Sequence, residues 1–481
     1  MTRIAITGSG QAVSHWTPSD TAHAPSPTTL RHAAASKAMS GRKHVDVLVV
    51  LRTTEDSIPT STHPHGRDAN PPRTLARDLG ITAGERIYHH SGGQSPQEVI
   101  NRLASRMAEE EFRSALIVSA EATGAAKAAT RAGMTLDWSE DADGDFTDRG
   151  MGLGWLDPNE LRHGLITPAS YYGLMETALA REHGRSRSEH RREMAALFAP
   201  FSDVAAANAY AQFPTQRSED FLAAPSPENF PVTDPYLKWH VAQDAVNQAA
   251  AIHLEAVTDD PPDAVYLRAG SDAADCALTH RAELHCSRAM DAAIPDALAR
   301  AGWQASDLSA LDLYSCFPVA VWSALTRLQG LPEMPLTLTG GLPFFGGPGN
   351  SYSLHAIAEM HATLANTQAR GLVLANGGWM SKESVGLYSG TATEFVGTSK
   401  ATLPPQVDIC AQECTGKIET YTLGHGRSGP HSGTATLRLA DGRRALAVIP
   451  RDLLARFDSD TLLTSHPARV TQRGGIGQLG L

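Results

Sequence analysis

Three short loops in the second half of this chain and one turn in the first carry residue types from which a reaction centre could be assembled. Tyr314-Ser315-Cys316-Phe317 places a phenol and a thiol two residues apart, just after the apolar stretch 311–313. Asn376-Gly377-Gly378 puts a carboxamide at the end of the apolar stretch 371–375. Between them, residues 339–355 are dense in glycine and proline and end on His355, while His89 and His90 precede the turn Ser91-Gly92-Gly93-Gln94-Ser95. A thiol becomes a covalent nucleophile once deprotonated. A phenol or carboxamide can donate a hydrogen bond to a developing oxyanion, and a histidine can move a proton near neutrality. Glycines let backbone N–H groups, above all those opening a helix, come close to a carbonyl or phosphate oxygen. Each group also has a plainer role: Cys316 as a small buried apolar side chain, Tyr314 as packing, His355 as a helix neighbour.

Such loops need rigid elements behind them. The apolar runs at 4–7, 45–50 and 115–119 read as buried strands, and 29–39 and 95–111 as helices, the latter through Val99, Ile100, Leu103 and Met107. Strand and helix alternate, which predicts parallel α/β units. Residues 124–240 break the pattern with Pro168, Pro200, Pro214, Pro225, Pro227, Pro231 and Pro235, the composition of an inserted region. A helix is expected over 244–257, and 265–267 opens a second α/β half that includes helices at 319–328 and 352–364. Beyond Pro404-Pro405 the segments 416–423, 433–440 and 444–449 read as strands joined by glycine-rich turns such as Asp441-Gly442, predicting a small β-barrel-like domain.

In order and spacing the loops resemble the C-terminal half of a thiolase. That family's motifs read Asn-Glu-Ala-Phe, or His-Asp-Cys-Phe in sterol-carrier-type members, then Gly-His-Pro, then Cys-x-Gly. Here they stand as Tyr314-Ser315-Cys316-Phe317, Gly346-Gly347-Pro348 and Asn376-Gly377-Gly378. The stretches 168–176, 201–210 and 235–238 are similar to the loop domain of sterol-carrier-type thiolases, and a further C-terminal β domain occurs on a subgroup of bacterial thiolase-like proteins. The resemblance implies an α/β fold of the duplicated thiolase type, two sheets with helical layers. It implies an N-terminal half over 1–262 with a loop domain inserted at about 124–240, a C-terminal half over 263–398, and a β-barrel-like domain over 406–481. It further implies an acyl-CoA site with Tyr314, Cys316, His355 and Asn376 at catalytic positions and His90, Gly93, Gln94, Ser95, Gly346, Gly347, Pro348, Asn350 and Gly378 at binding positions. The implied ligand is a coenzyme A thioester, with no tightly bound cofactor and no metal.

The scaffold is kept and the family's chemistry is not. The nucleophilic cysteine of a thiolase falls near Gly93 or Gln94, the Gly-His-Pro histidine on Gly347, and the Cys-x-Gly cysteine on Asn376; all five cysteines lie in the second half. Losing nucleophile, base and second cysteine together removes the covalent route that lowers the barrier, which argues against ordinary thiolysis or Claisen condensation. The reading is an acyl-CoA-binding, thiolase-like protein of lipid metabolism, a divergent acyltransferase related to acetyl-CoA acetyltransferases. The alternative is a non-catalytic CoA-ester binding or interaction protein whose C-terminal β domain binds a protein or nucleic acid.

Composition narrows the partners. A chain of 481 residues calls for two or three domains. Its formal net charge of −11 argues against coating a nucleic acid, although residues 401–481 carry nine Lys/Arg against seven Asp/Glu. That segment has only Tyr421 and Phe457 as aromatics, few for a stacking platform. Cys410-x3-Cys414 lacks a second ligand pair and reads as reduced thiols, not zinc. The acidic run 141–152 has Phe146 and Gly152 where a calcium loop needs Gly and Glu. No apolar run reaches 18 residues, so the expectation is a soluble, cytoplasmic protein with no membrane partner, a monomer or homodimer.

Overall fold

The computed structural model describes residues 2–154 and 156–481. Its body is one mixed sheet of 11 strands. In the N-terminal half five strands follow the spatial order Thr82–His89, His44–Leu51, Ser114–Glu121, Gln248–Val257, Arg3–Val13. In the C-terminal half the order is Ala310–Leu313, Arg370–Gly377, Lys382–Ser389, Val265–Ala274. The two paths match in sense as well as in order. His44–Leu51 runs parallel to Ser114–Glu121 as Ala310–Leu313 does to Arg370–Gly377, and the next two pairings along each path are antiparallel; Thr82–His89 adds one more parallel pairing in the N-terminal half. This is the duplication that the sequence did not display as a repeat. The first strands of the halves pair antiparallel at Ile4/Leu267, Ala5/Tyr266 and Ile6/Val265, so the two expected sheets are joined edge to edge into one.

Helices cover both faces. Ser95–Ala108 and Tyr352–Leu364 occupy equivalent places in the two halves and share one core, with Val99, Ile100, Leu103 and Met107 packed among Leu354, Ile357, Met360 and Leu364. On the other face Pro27–Met39 lies against Arg3–Val13 through Ala34, Ala35 and Ala38. Gly10 permits that approach, since a β-carbon there would stand 2.7 Å from Lys37 Cβ.

One expected element is wrong in kind. Residues 244–257 were expected as helix, but Gln248–Val257 is a central strand hydrogen-bonded on both edges. Its Gln248–Leu254 stretch is buried throughout, so the alternation that marks a half-exposed strand is missing, and pairing overrides the helical preference of Ala249, Ala250 and Ala251.

The inserted region contributes the helices Pro168–Glu182 and Arg187–Ala207. The C-terminal domain is a five-strand barrel in the order Cys414–Gly426, Gly429–Arg438, Arg444–Val448, Ile476–Gly480, Pro467–Arg473, closing back on the first strand. The third and fifth strands pair parallel, at Val448/Gln478, and the short helix Leu454–Phe457 separates the third strand from the fourth. This is the arrangement of an OB-type barrel. The inserted region also adds Pro231–Thr233 beside the first barrel strand, at Thr233/Gly424.

Candidate functional site

The four predicted loops converge. Gly92 turns at φ 144°, a conformation that favours glycine, and its N–H donates to Asn350 Oδ1 at 2.9 Å. Asn350 Nδ2 donates to Arg52 O at 2.7 Å, and Ser353 Oγ donates to Gly93 O at 3.0 Å. The glycine-rich loop is thereby stitched to the turn that opens the helix Ser95–Ala108. Pro96 in the first helical turn needs no partner for a missing N–H, which suits the start of that helix.

At the centre Asn376 Nδ2 donates to Tyr172 Oη at 2.9 Å and lies 3.8 Å from Cys316 Sγ. Tyr172 stacks on Phe317 with ring centroids 4.2 Å apart, and Tyr314 meets Tyr352 edge-on at 5.3 Å. Tyr314, Cys316, Phe317 and Asn376 are all buried. Burial pushes the Cys316 thiol up to about 12 and the Tyr314 phenol well above its ordinary range, so both are neutral near pH 7. A fully protonated thiol in this setting is not a nucleophile.

Gly93 decides what this centre can hold. A β-carbon on Gly93 would overlap Tyr314 Oη and the Asn376 carbonyl oxygen, and would lie 2.8 Å from Tyr314 Cζ. The Tyr314 ring therefore occupies the volume that a nucleophilic side chain at 93 would need. Gln94 is buried beside Gly377, and Ser95 is buried at the helix start. At Gly347 a β-carbon would point at Ala242 Cβ, 3.1 Å away, and Gln243 O, 3.3 Å away, so a side chain there would press on the 242–243 segment. A β-carbon on Gly346 would stand 2.6 Å from Gln248 Oε1, Pro348 O accepts from Ser351 N at 2.7 Å, and Gly378 sits at φ 57°.

The histidines are placed differently from the centre. His355 is fully buried, with Nδ1 2.7 Å from Gln11 Oε1 and its ring 5.1 Å from that of Phe345. Burial lowers its pKa to about 3, so it is neutral, and the amide oxygen fixes the Nδ1–H tautomer. His90 Nδ1 lies 3.0 Å from Ser91 O and 3.4 Å from Ser95 Oγ, while its Nε2 is 3.8 Å from Glu98 Oε2. His89 packs against His90 with tilted rings whose centroids are 4.0 Å apart, and burial together with neighbouring cations holds it well below the usual imidazole range.

Two features were missed from the sequence. Glu383 pairs with Asn376 in the antiparallel register, so the two side chains share one face of the sheet; it is buried, and desolvation keeps its carboxyl neutral against the pull of Arg281 and Ser287. Its only sequence signal is a lone carboxylate in the strand Lys382–Ser389. Gly378, Trp379 and Met380 form a run of left-handed residues at φ 57°, 58° and 58°. Trp379 is held there by stacking on Tyr171 at 4.9 Å, the kind of enforced strain that gathers at sites.

A crystal structure of a monomeric SCP2-thiolase like protein type 1 from Mycobacterium smegmatis aligns with this chain at 32% identity, covering 99% of both chains, with a TM-score of 0.81. The chain belongs to the SCP2-thiolase-like proteins. An acetyl-CoA acetyltransferase from Syntrophomonas wolfei aligns at 15% identity over 81% of this chain and 99% of its own, TM-score 0.57. A structure described as Ltp2-ChsH2(DUF35) aldolase aligns at 18% identity over 80% of this chain and 97% of its own, also at 0.57. These two likenesses carry the thiolase-like fold alone. No family model matches the chain, and no curated protein matches it. In this SCP2-thiolase-like chain, then, the four loops converge and the Tyr314 ring takes the volume beside Gly93.

Proposed function

We propose that this SCP2-thiolase-like chain binds an acyl-CoA-type thioester as a divergent, acyltransferase-like protein that forms no acyl-cysteine. The carrying observation is the exclusion between Tyr314 and any side chain at position 93, with Cys316 as the one thiol in the centre and that thiol fully protonated. The Gly346–Asn350 loop and the Gly92–Ser95 turn keep backbone groups at helix openings, which suit a thioester carbonyl or a phosphate oxygen. We read the chain as a monomer, because Thr147–Asp148 pairs with Ile87 and Tyr88 on the outer edge of the sheet and so covers part of the edge that a second copy would need. Tyr421 and Phe457, the two aromatics of the barrel segment, are fully buried, so neither offers a stacking face to nucleic acid. No helix among the described residues is long and apolar enough to cross a membrane.

The test is calorimetric titration with a panel of CoA esters, alongside intact-mass measurement after incubation with acetyl-CoA. Binding without a mass increase is expected. An acetyl adduct mapped to Cys316, or no heat with any ester, overturns the reading.

A further inference from the structure

The body's centre is packed, but the barrel is open at one end. A cavity of about 720 Å³ lies there, bounded by residues 415–419, 438–440, 467–469 and 480–481 together with Arg181. Four barrel strands meet at that end: the first and fourth begin there, and the second and fifth finish there. It is the pole away from the turns at 427–428 and 474–475, and it borders the seam with the body, where Arg181 Nη1 donates to Glu419 O at 3.5 Å and Arg438 Nη2 to Ala282 O at 2.6 Å. Ile418, Leu439 and Ala468 are buried and give the cavity an apolar lining, joined by Pro467. Gly416 lets two strands close up at its floor, since a β-carbon there would stand 2.6 Å from Arg438 O.

Its charge is one-sided. Arg438 is neutralised by Glu419 at 2.6 Å, and Glu419 is also held by Arg444. Lys417, Arg469 and Arg181 are exposed cavity residues with no ion pair to any described residue, on a chain whose formal charge is −11. Lys417 and Arg469 come from the first and fourth barrel strands, which pair with each other, and Arg181 from the helix Pro168–Glu182, its Nη1 donating to Glu419 O at 3.5 Å, so three cations without a carboxylate partner border one cavity. A volume of this size suits a small molecule. Unpaired cations over an apolar lining select a ligand with an anionic head and an apolar body.

We infer that this end of the barrel is a binding site for a small amphipathic anion, an acyl-sized apolar body carrying a carboxylate or a phosphate. The site stands independently of thioester binding by the body. The probes are decanoate and decyl phosphate, titrated calorimetrically into the full chain at low and high salt, with decanol and decyltrimethylammonium as neutral and cationic counterparts. At least one anion should bind, at least roughly tenfold more tightly than decanol, with affinity falling as salt rises; whichever anion binds better identifies the head group. Two variants separate charge from shape: Lys417→Glu with Arg469→Glu should weaken the anion at least roughly tenfold, and Ala440→Trp should do so by filling the cavity. All three residues are exposed, so an unchanged thermal midpoint verifies folding. Binding of neither anion, equal binding of decanol, or full affinity retained in both variants overturns the site. Acetyl-CoA titrated into the charge-reversed variant keeps the two readings apart, because a thioester bound by the body is indifferent to Lys417 and Arg469.

Discussion

The centre of the thiolase-like body and the open end of the barrel are opposites. Around Gly93 the facing groups, Tyr314, Cys316, Asn376 and Glu383, are buried, and those that could ionise are neutral. At the barrel end the facing groups are exposed and cationic over an apolar lining. A buried position without a side chain does not stay hollow, because an interior at crystal-like density loses contacts around any void; beside Gly93 Tyr314 takes the space. Solvent solvates the cations at the barrel end without such repacking. The barrel is anchored to the body beside that end as well as away from it: Thr434 Oγ1 donates to His163 O at 2.6 Å, Gly477 N to His163 Nε2 at 3.0 Å, and Arg438 Nη2, at the cavity's rim, to Ala282 O at 2.6 Å.

The strongest way to break the comparison is to detach one region from the other. Arg444 is fully buried and donates to Glu419 Oε2 at 2.6 Å, Glu419 Oε1 at 2.8 Å, Thr279 O at 2.5 Å, Arg281 O at 2.7 Å and Ala282 O at 3.2 Å. Burial opposes ionisation of Glu419, yet the Arg444 and Arg438 guanidiniums hold its carboxyl below the usual range. Arg444→Met leaves Glu419 with Arg438 as its one guanidinium partner and strips the Thr279 and Arg281 carbonyls of their Arg444 donor, at a cost of roughly 3 kcal/mol. Residues 403–407, pinned by Leu403 N to Ala274 O and by Gln406 N and Val407 N to His280 O, should then become cleavable. Limited proteolysis and urea unfolding are the measurements; parent-like protection of 403–407 and a single unshifted transition would show that the barrel is held by other contacts.

An effect of similar size, spread over a pH window, sharpens the contrast in charge. Burial raises Glu121 to about 7, against the lowering effect of the Thr54 N–H and Oγ1 donors, each at 2.7 Å. Its folded pKa lies above the unfolded value of 4.5, so the folded state holds the extra proton and Glu121 makes stability fall as pH rises from about 4.5 to about 7. Glu121→Gln should remove that contribution, worth about 3 kcal/mol across the window. Urea midpoints at several pH values compare the two proteins, and parallel pH profiles would refute a buried neutral carboxyl.

The sequence shows regions of the molecule unequally, for physical reasons. Strands at 4–7, 45–50 and 115–119 are legible because a strand buried on both faces is continuously apolar. The alanine run in Gln248–Val257 is apolar too, but its short side chains also suit a helix, and only the neighbouring strands decide. Convergence of the four loops followed from their order, whereas the filling of position 93 did not: it depends on a ring more than two hundred residues away in sequence. Arg444 opens the expected strand 444–449 as a charged residue after a turn, and only docking on the body buries its side chain. Gly347 is expected at a binding position from its motif, while the segment its missing side chain would press on, 242–243, is not legible in the sequence.

The finest test restores the missing atom. Gly93 has ordinary backbone geometry, so Gly93→Cys strains no dihedral, and its effect is steric. The new β-carbon meets the Tyr314 hydroxyl and ring edge and the Asn376 carbonyl, an overpacking that should cost about 1–3 kcal/mol. Tyr314→Phe removes the hydroxyl and should relieve part of that cost, giving a favourable coupling of roughly 1 kcal/mol in a double-mutant cycle of urea unfolding. Relief should be incomplete, because the Asn376 carbonyl belongs to the strand Arg370–Gly377 and does not move aside as a side chain can. The introduced thiol should also stay unacylated by acetyl-CoA in the single variant, since the ring crowds the direction from which a thioester carbon must approach. Additive energies would mean that Tyr314 and position 93 do not compete for one volume, and rapid acylation of the single variant would mean that the centre opens to ligand without help from Tyr314.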